Sequence, residues 1–271
     1  TPLTGLTLNT KAMLITAKKV LNKRGSIIGT SILLSYISIV PLVSAAPLGG
    51  NITGGEGTIT QSGLTTTIKQ NTSSLGIDWN SFNVNSNETV NFIQPDSSSI
   101  ALNRILSQSG SEIHGQINAN GQVILVNPNG IFFGSSSTVN VGGLIASGLD
   151  ISSTDFMNGD YIFNNVAGTD GIVFNAGLLT ASLGGSIALL GQQIVNEGII
   201  SARFGRVSLA AGKAAVLTFD QQGMLGIQVT EAILQDQIGV DPAVLNSGEI
   251  NAAGGRVLLT ASVSQDVFSQ A

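Results

Sequence analysis

The chain contains no cysteine, a single histidine, 5% aromatic residues and only 10% charged side chains. Without cysteine there is no disulfide framework and no thiolate to act as nucleophile or metal ligand. With His114 alone, neither a histidine metal cluster nor a conventional Ser-His-Asp triad can be assembled, and a place on the surface or at a coil edge is expected for it. No Gly-x-Ser-x-Gly and no phosphate-binding loop of the GxxxxGK[ST] type occurs. These absences point to no catalytic residues, no metal and no cofactor. Basic charge is scarce as well. Five of the 11 Lys and Arg residues and none of the 16 Asp and Glu residues fall within residues 1 to 46, leaving six against 16 and a formal charge near −10. Nucleic acid is therefore excluded as a partner, because a phosphate-binding surface needs clustered Lys and Arg.

What the chain has instead is glycine, 34 residues of it, beside a 42% hydrophobic content that suffices for a core. Glycine inside a helix costs roughly 1 kcal/mol relative to alanine, whereas turns accept it freely. The composition therefore predicts many short strands joined by tight turns. The first residues are a separate object. Lys11, Lys18, Lys19, Lys23 and Arg24 precede an apolar run from Ile27 to Val43, followed by Ser44, Ala45 and Ala46. Gly29, Pro41 and the serines weaken that run as a membrane anchor. Small residues at its end suit a signal peptide, residues 1 to 46, cleaved after Ala45 or Ala46.

Self-similarity appears after that segment. Gly115 to Leu125 aligns with Gly248 to Leu259 with one inserted residue, and Asn175 to Leu189 follows the same plan as Asn196 to Leu209: Asn-x-Gly, a short strand, a glycine, another short strand. The repeats at Asn175 and Asn196 begin 21 residues apart, about one coil of a parallel β-helix. Apolar residues alternate within each short strand, as in Ile117 and Ala119 or Val207 and Leu209, which turns one face inward. The fold class expected is all-β: a right-handed parallel β-helix of about ten coils, handed by the usual crossover preference. Asn175, Asn196 and Asn246 are expected to stack as a ladder at about 4.8 Å spacing.

Residues 47 to 75, including the Thr- and Ile-rich stretch Gly49 to Gln70, are expected to cap the open first coil against edge pairing. Residues 149 to 166 and 219 to 245 break the pattern and read as excursions, with a short helix expected over Glu231 to Ile238. Trp79 and Phe82 read as packing that seals the first coils. Asn127-Pro128-Asn129-Gly130 suits a type I turn: Asn accepts a local hydrogen bond, Pro presets φ, and Gly closes.

Six separated blocks carry a resemblance: Trp79 to Phe82, Glu88 to Gln94-Pro95, Leu102-Asn103-Arg104, Ile113-His114-Gly115, Asn120 to Val123 and Asn127 to Gly134. In order and spacing they resemble the two-partner-secretion domain, also called the haemagglutination activity domain. The likeness is strong from about Gly50 to Ile151, looser beyond, and closest to the high-molecular-weight-adhesin branch. It implies a right-handed parallel β-helix engaged by the periplasmic domains of an outer-membrane pore partner, which starts export of a longer adhesin, haemagglutinin or haemolysin to the medium or cell surface. It implies a secretion role for Asn127, Pro128, Asn129 and Gly130, with Asn103 and Arg104 behind them. An earlier Asn-Pro-Asn-Leu turn found in some branches is missing here.

The rival reading is a β-helical polysaccharide-active enzyme, which needs carboxylates converging about 5 to 10 Å apart. The densest acidic group, Asp150, Asp155 and Asp160, falls in an excursion instead of on consecutive coils. Binding of host-cell or surface glycan receptors is expected in segments downstream.

Overall fold

The computed structural model describes residues 46–219, 225–234 and 241–264. Residues 1–45, which hold nearly all of the expected signal peptide with Ala45, lie outside the described residues.

Short strands stack into three parallel sheets, which are the three faces of a β-helix. The first face runs through Ser74–Trp79, Ile100–Ile105, Gln122–Val126, Gly143–Ser147, Ile187–Gly191, Arg206–Ala211 and Arg256–Ala261. The second runs through Ser111–Ile113, Ile131–Phe133, Ile172–Asn175, Gln193–Asn196 and Val244–Asn246. The third runs through Thr65–Gln70, Thr89–Ile93, Gln116–Ala119, Thr138–Val141, Leu178–Ala181, Ile199–Ser201 and Glu249–Asn251. Each full coil visits the second, third and first face in turn. Among the described residues the first and third faces each hold seven parallel strands, not the ten coils expected, because the cap and the excursions use up the remaining chain.

Register is set by the inward positions. Leu75, Ala101, Val123, Leu144, Ile187 and Val207 stand above one another, and all are buried. The core they form is a continuous column, since each coil can hide its apolar face only against its neighbours. Asn175 Nδ2 donates to Asn196 Oδ1 and Asn196 Nδ2 to Asn246 Oδ1, both at 2.7 Å, which is the expected ladder at the corner between second and third faces.

The N-terminal end is closed by antiparallel pairing. Asn51–Gly54 lies against Ser74–Trp79, and Gly57–Ser62 against Thr65–Gln70. Trp79 and Phe82, both 1% exposed, meet edge to face at 5.4 Å in the adjoining core.

The first face is buried on both sides. Leu102, Ile124, Val126, Ile145, Ala188 and Leu190 point outward, yet form a second core with Leu149, Ile151, Phe156, Phe163, Leu217 and Leu225 from two excursions. One excursion leaves at Gly148, turns through the helix Ser153–Asn158, capped by Ser152 and ended by Gly159 at φ 83°, and returns through the strand Ile162–Asn164. The other is an antiparallel hairpin of Ala214–Phe219 and Leu225–Glu231. Ile162–Asn164 pairs with it, so the excursions form one small sheet. The short helix expected from Glu231 is not found: Leu225–Glu231 and Ile233–Leu234 are strands, and 235–240 lie outside the described residues. Leu225, Ile227 and Val229 alternate with polar or small residues along the hairpin strand, and Glu231 ends that strand opposite Ala214, so pairing claims the residue where the helix is expected to start.

Candidate functional site

Asn127, Pro128, Asn129 and Gly130 make the corner between the first and second faces, immediately after Gln122–Val126. The Gly130 N–H donates to the Asn127 carbonyl at 2.9 Å, and the Asn129 N–H to Asn127 Oδ1 at 3.0 Å. Asparagine at the first position thus closes the turn twice, once with its backbone and once with its side chain. Gly130 has φ +102°, and an added Cβ would lie 3.1 Å from the Ile172 carbonyl oxygen. Both facts require glycine.

The corner is inward-looking. Asn127 is fully buried, and Pro128 and Gly130 are buried too, while Asn129 is half-buried. Asn127 Nδ2 donates to the Ser109 carbonyl at 3.1 Å and to Ser111 Oγ at 3.0 Å, and Asn129 Nδ2 to the Ser107 carbonyl at 2.8 Å. Those acceptors belong to the same corner one coil earlier. On the other side the Asn127 N–H donates to the Ser147 carbonyl at 2.9 Å, and the Gly171 N–H to the Pro128 carbonyl at 3.0 Å. Ser147 is the last residue before the helix-bearing excursion and Gly171 the last before the chain re-enters at Ile172. The turn therefore ties the corner below it to both ends of the excursion above it.

Asn103 and Arg104 sit in Ile100–Ile105 with opposite directions. Asn103 points into the core at a position flanked by Ile77 and Leu125. There its Oδ1 accepts the Trp79 indole N–H at 3.0 Å, and its Nδ2 donates to the Ile124 carbonyl at 3.3 Å. A tryptophan sealing the first coils needs a buried acceptor, and Asn103 is it. Arg104 points outward and grips the Asp150 carboxylate with two hydrogen bonds of 2.7 Å, while Asp78 lies at 3.9 Å. The hydrogen-bonded Asp150 holds the guanidinium pKa above its ordinary value, against the opposite effect of burial. Asp150 opens the excursion and pairs with Asn164, so this ion pair clamps the excursion onto the coil.

A groove lined by Arg104, Leu106, Ser107, Pro128, Asn129 and Asp150 joins the two groups of sequence-predicted residues, while Asn127 is buried behind the turn, Gly130 lies off this groove and Asn103 sits in the core. A second groove, on the other side of Asn129, is lined by Ser109, Gly130, Phe132, Ile172 and Phe174. Sequence reasoning did not single out Asp150 as the partner of Arg104, or Ser107, Ser109 and Ser111 as partners of the turn. They lie 16 to 46 residues away from the side chains they meet, and no local pattern announces such contacts. Among the described residues no helix is long and apolar enough to cross a membrane, and no three His, Cys, Asp or Glu residues are grouped to hold a metal.

Comparison with known proteins agrees with this geometry. The family model of the TPS secretion domain matches residues 44–270. A heme/hemopexin-binding protein of Haemophilus influenzae strain Rd is 32% identical over 221 residues, covering 77% of this chain and 24% of the relative. A second heme/hemopexin-binding protein from Haemophilus influenzae is 37% identical over 97 residues, covering 36% of this chain and 10% of its own length. The chain thus spans about a quarter or less of the curated relatives it matches. Among solved structures, the HMW1 secretion domain from Haemophilus influenzae superimposes with a TM-score of 0.70 at 31% identity, covering 82% of this chain and 57% of that one. That neighbour agrees with the high-molecular-weight-adhesin branch read from the motifs. With the family model spanning nearly all of the described β-helix and a secretion domain as its structural neighbour, the chain belongs to the two-partner-secretion family, the secretion domains of large exported proteins.

Proposed function

We propose that this chain is the recognition module that an outer-membrane transporter engages, through its periplasmic domains, to start export of a longer surface protein. Residues 1 to 46 would bring it to the periplasm and be removed after Ala45 or Ala46. Asn127, Pro128, Asn129 and Gly130 serve recognition by holding a surface corner in shape, with Arg104 clamping the adjacent excursion and Asn103 securing the core beneath. The observation that carries this reading is the burial of the turn: Asn127 is fully buried and spends both amide hydrogens on the preceding coil.

The module acts by binding and folding, not by catalysis. Asp150, the carboxylate that lines the groove beside the turn, is held by Arg104, and among the described residues no second carboxylate lines that groove with it. Host-directed binding, of the kind named for the heme/hemopexin-binding relatives, is assigned to the part of such proteins beyond this chain. Each coil that folds outside the cell buries apolar area at roughly 25 cal/mol per Å², which would oppose backsliding through the pore. Expression of the chain with its leader in cells with and without the transporter encoded beside it tests the proposal. Appearance in the medium only with the transporter is expected, and equal export in its absence overturns it.

A further inference from the structure

The outward sides of the three faces differ in kind. On the third face, Asn91, Asn118, Asn140, Thr180 and Ser201 follow one another in register, a polar surface suited to water. The outward side of the first face is apolar and covered by the excursions. On the second face, Phe132, Phe174, Val195 and Leu245 stand in register on successive coils; Phe132 and Leu245 are exposed, Phe174 and Val195 are half-buried, and the His114 ring lies 5.7 Å from that of Phe132. Phe132 is 37% and Leu245 39% exposed, and the two phenylalanine rings stack at 5.1 Å. Leu178 and Ile199, in register at the start of the third face, widen the stripe around the corner. Four rungs at about 4.8 Å make a contiguous apolar strip of the kind that marks interaction sites.

Charge narrows the occupant. Glu112 is in register with Phe132, Glu249 with Ile199, and Glu197 stands at the corner between them, all three exposed. The described Lys and Arg residues lie on other strands or corners: Lys69, Arg104, Arg203, Arg206, Lys213 and Arg256. Two copies of this stripe brought face to face would oppose their glutamates, which disfavours self-association. The stripe is also continuous with the turn, since Asn129 and Gly130 line the same groove as Phe132 and Phe174.

We propose that this glutamate-rimmed apolar stripe is the docking surface for the periplasmic part of the transporter, which meets it with an extended or helical segment of apolar side chains flanked by Lys or Arg. The proposal rests on the secretion-module reading and gives the turn a reason to be rigid: it seats Phe132 at one end of the stripe.

The test is titration of the purified chain with the purified periplasmic portion of its transporter, comparing wild type with three double variants. Phe132→Ser with Phe174→Ser should weaken binding roughly tenfold or more, as aromatic anchors do. Glu197→Lys with Glu249→Lys should weaken it and reduce its salt dependence. Asn118→Ser with Asn140→Ser, on the polar third face, should bind as wild type. The charge reversal lies on exposed side chains, so it decides the matter even if the serine pair melts early. Wild-type affinity in both the aromatic and charge variants overturns the surface while leaving the secretion-module reading intact. No binding by wild type overturns that reading itself. A wild-type dimer in sedimentation that the aromatic variant turns into a monomer gives the stripe to a second copy and overturns the proposal.

Discussion

Asn127 shows how a polar residue is kept inside a β-helix: both amide hydrogens and the side-chain oxygen are satisfied without water. Replacing Asn127 by Ala strands the Ser111 hydroxyl and the Ser109 carbonyl in a buried corner. Chemical denaturation should register a loss of about 2–3 kcal/mol, the usual penalty for orphaned buried polar groups. Gly130→Ala should cost about 1–2 kcal/mol by the same assay, because φ is +102° and its Cβ would press on the Ile172 carbonyl. At this scale the turn itself was legible in sequence, since Asn, Pro and Gly each carry a local preference. The burial of the turn was not, because it depends on coils on either side. Asn103 could be quoted as part of a motif, but its task as acceptor for Trp79, 24 residues earlier, could not be read.

Among the elements, the repeats mapped well. Gly115 to Leu125 and Gly248 to Leu259 both cross from third to first face, and the Asn-x-Gly repeats mark one corner, because coils that stack in register need the same residue at the same place. The hairpin begins at Ala214, ahead of the expected break at 219, because Ala214–Phe219 is as apolar as a coil strand. The packing of the excursions was written more quietly, in the run Val123-Ile124-Leu125-Val126, which is apolar without alternation and therefore belongs to a strand covered on both sides. The alternation Leu225, Ile227, Val229 likewise announces the hairpin strand, which ends at Glu231, where a helix is expected to begin. Arg104 and Asp150, 46 residues apart, hold the first excursion down. A double-mutant cycle of Arg104→Ala and Asp150→Ala should give a coupling of about 1 kcal/mol, modest because both side chains keep some solvent. Hydrogen exchange should speed up in Ser153–Asn158 and Ile162–Asn164 well before it does in Gln122–Val126.

For the whole molecule, stability is additive along the stack, each coil supported by its two neighbours. A charge in the column, Leu125→Asp, should break the stack, because Leu125 is 1% exposed within the apolar core. Export should then slow markedly, and a pulse-chase of the secreted chain would show it. The central proposal is that the transporter recognises a folded corner that the buried turn maintains. It is tested most directly by export of the Asn127→Ala plus Asn129→Ala variant, set beside its unfolding free energy and those of graded core variants such as Leu125→Ala. The turn variant should lose stability and fall on the same line of export against stability as the core variants. A turn variant as stable as wild type that nonetheless stays in the periplasm would contradict it, because the turn would then be touching the transporter itself.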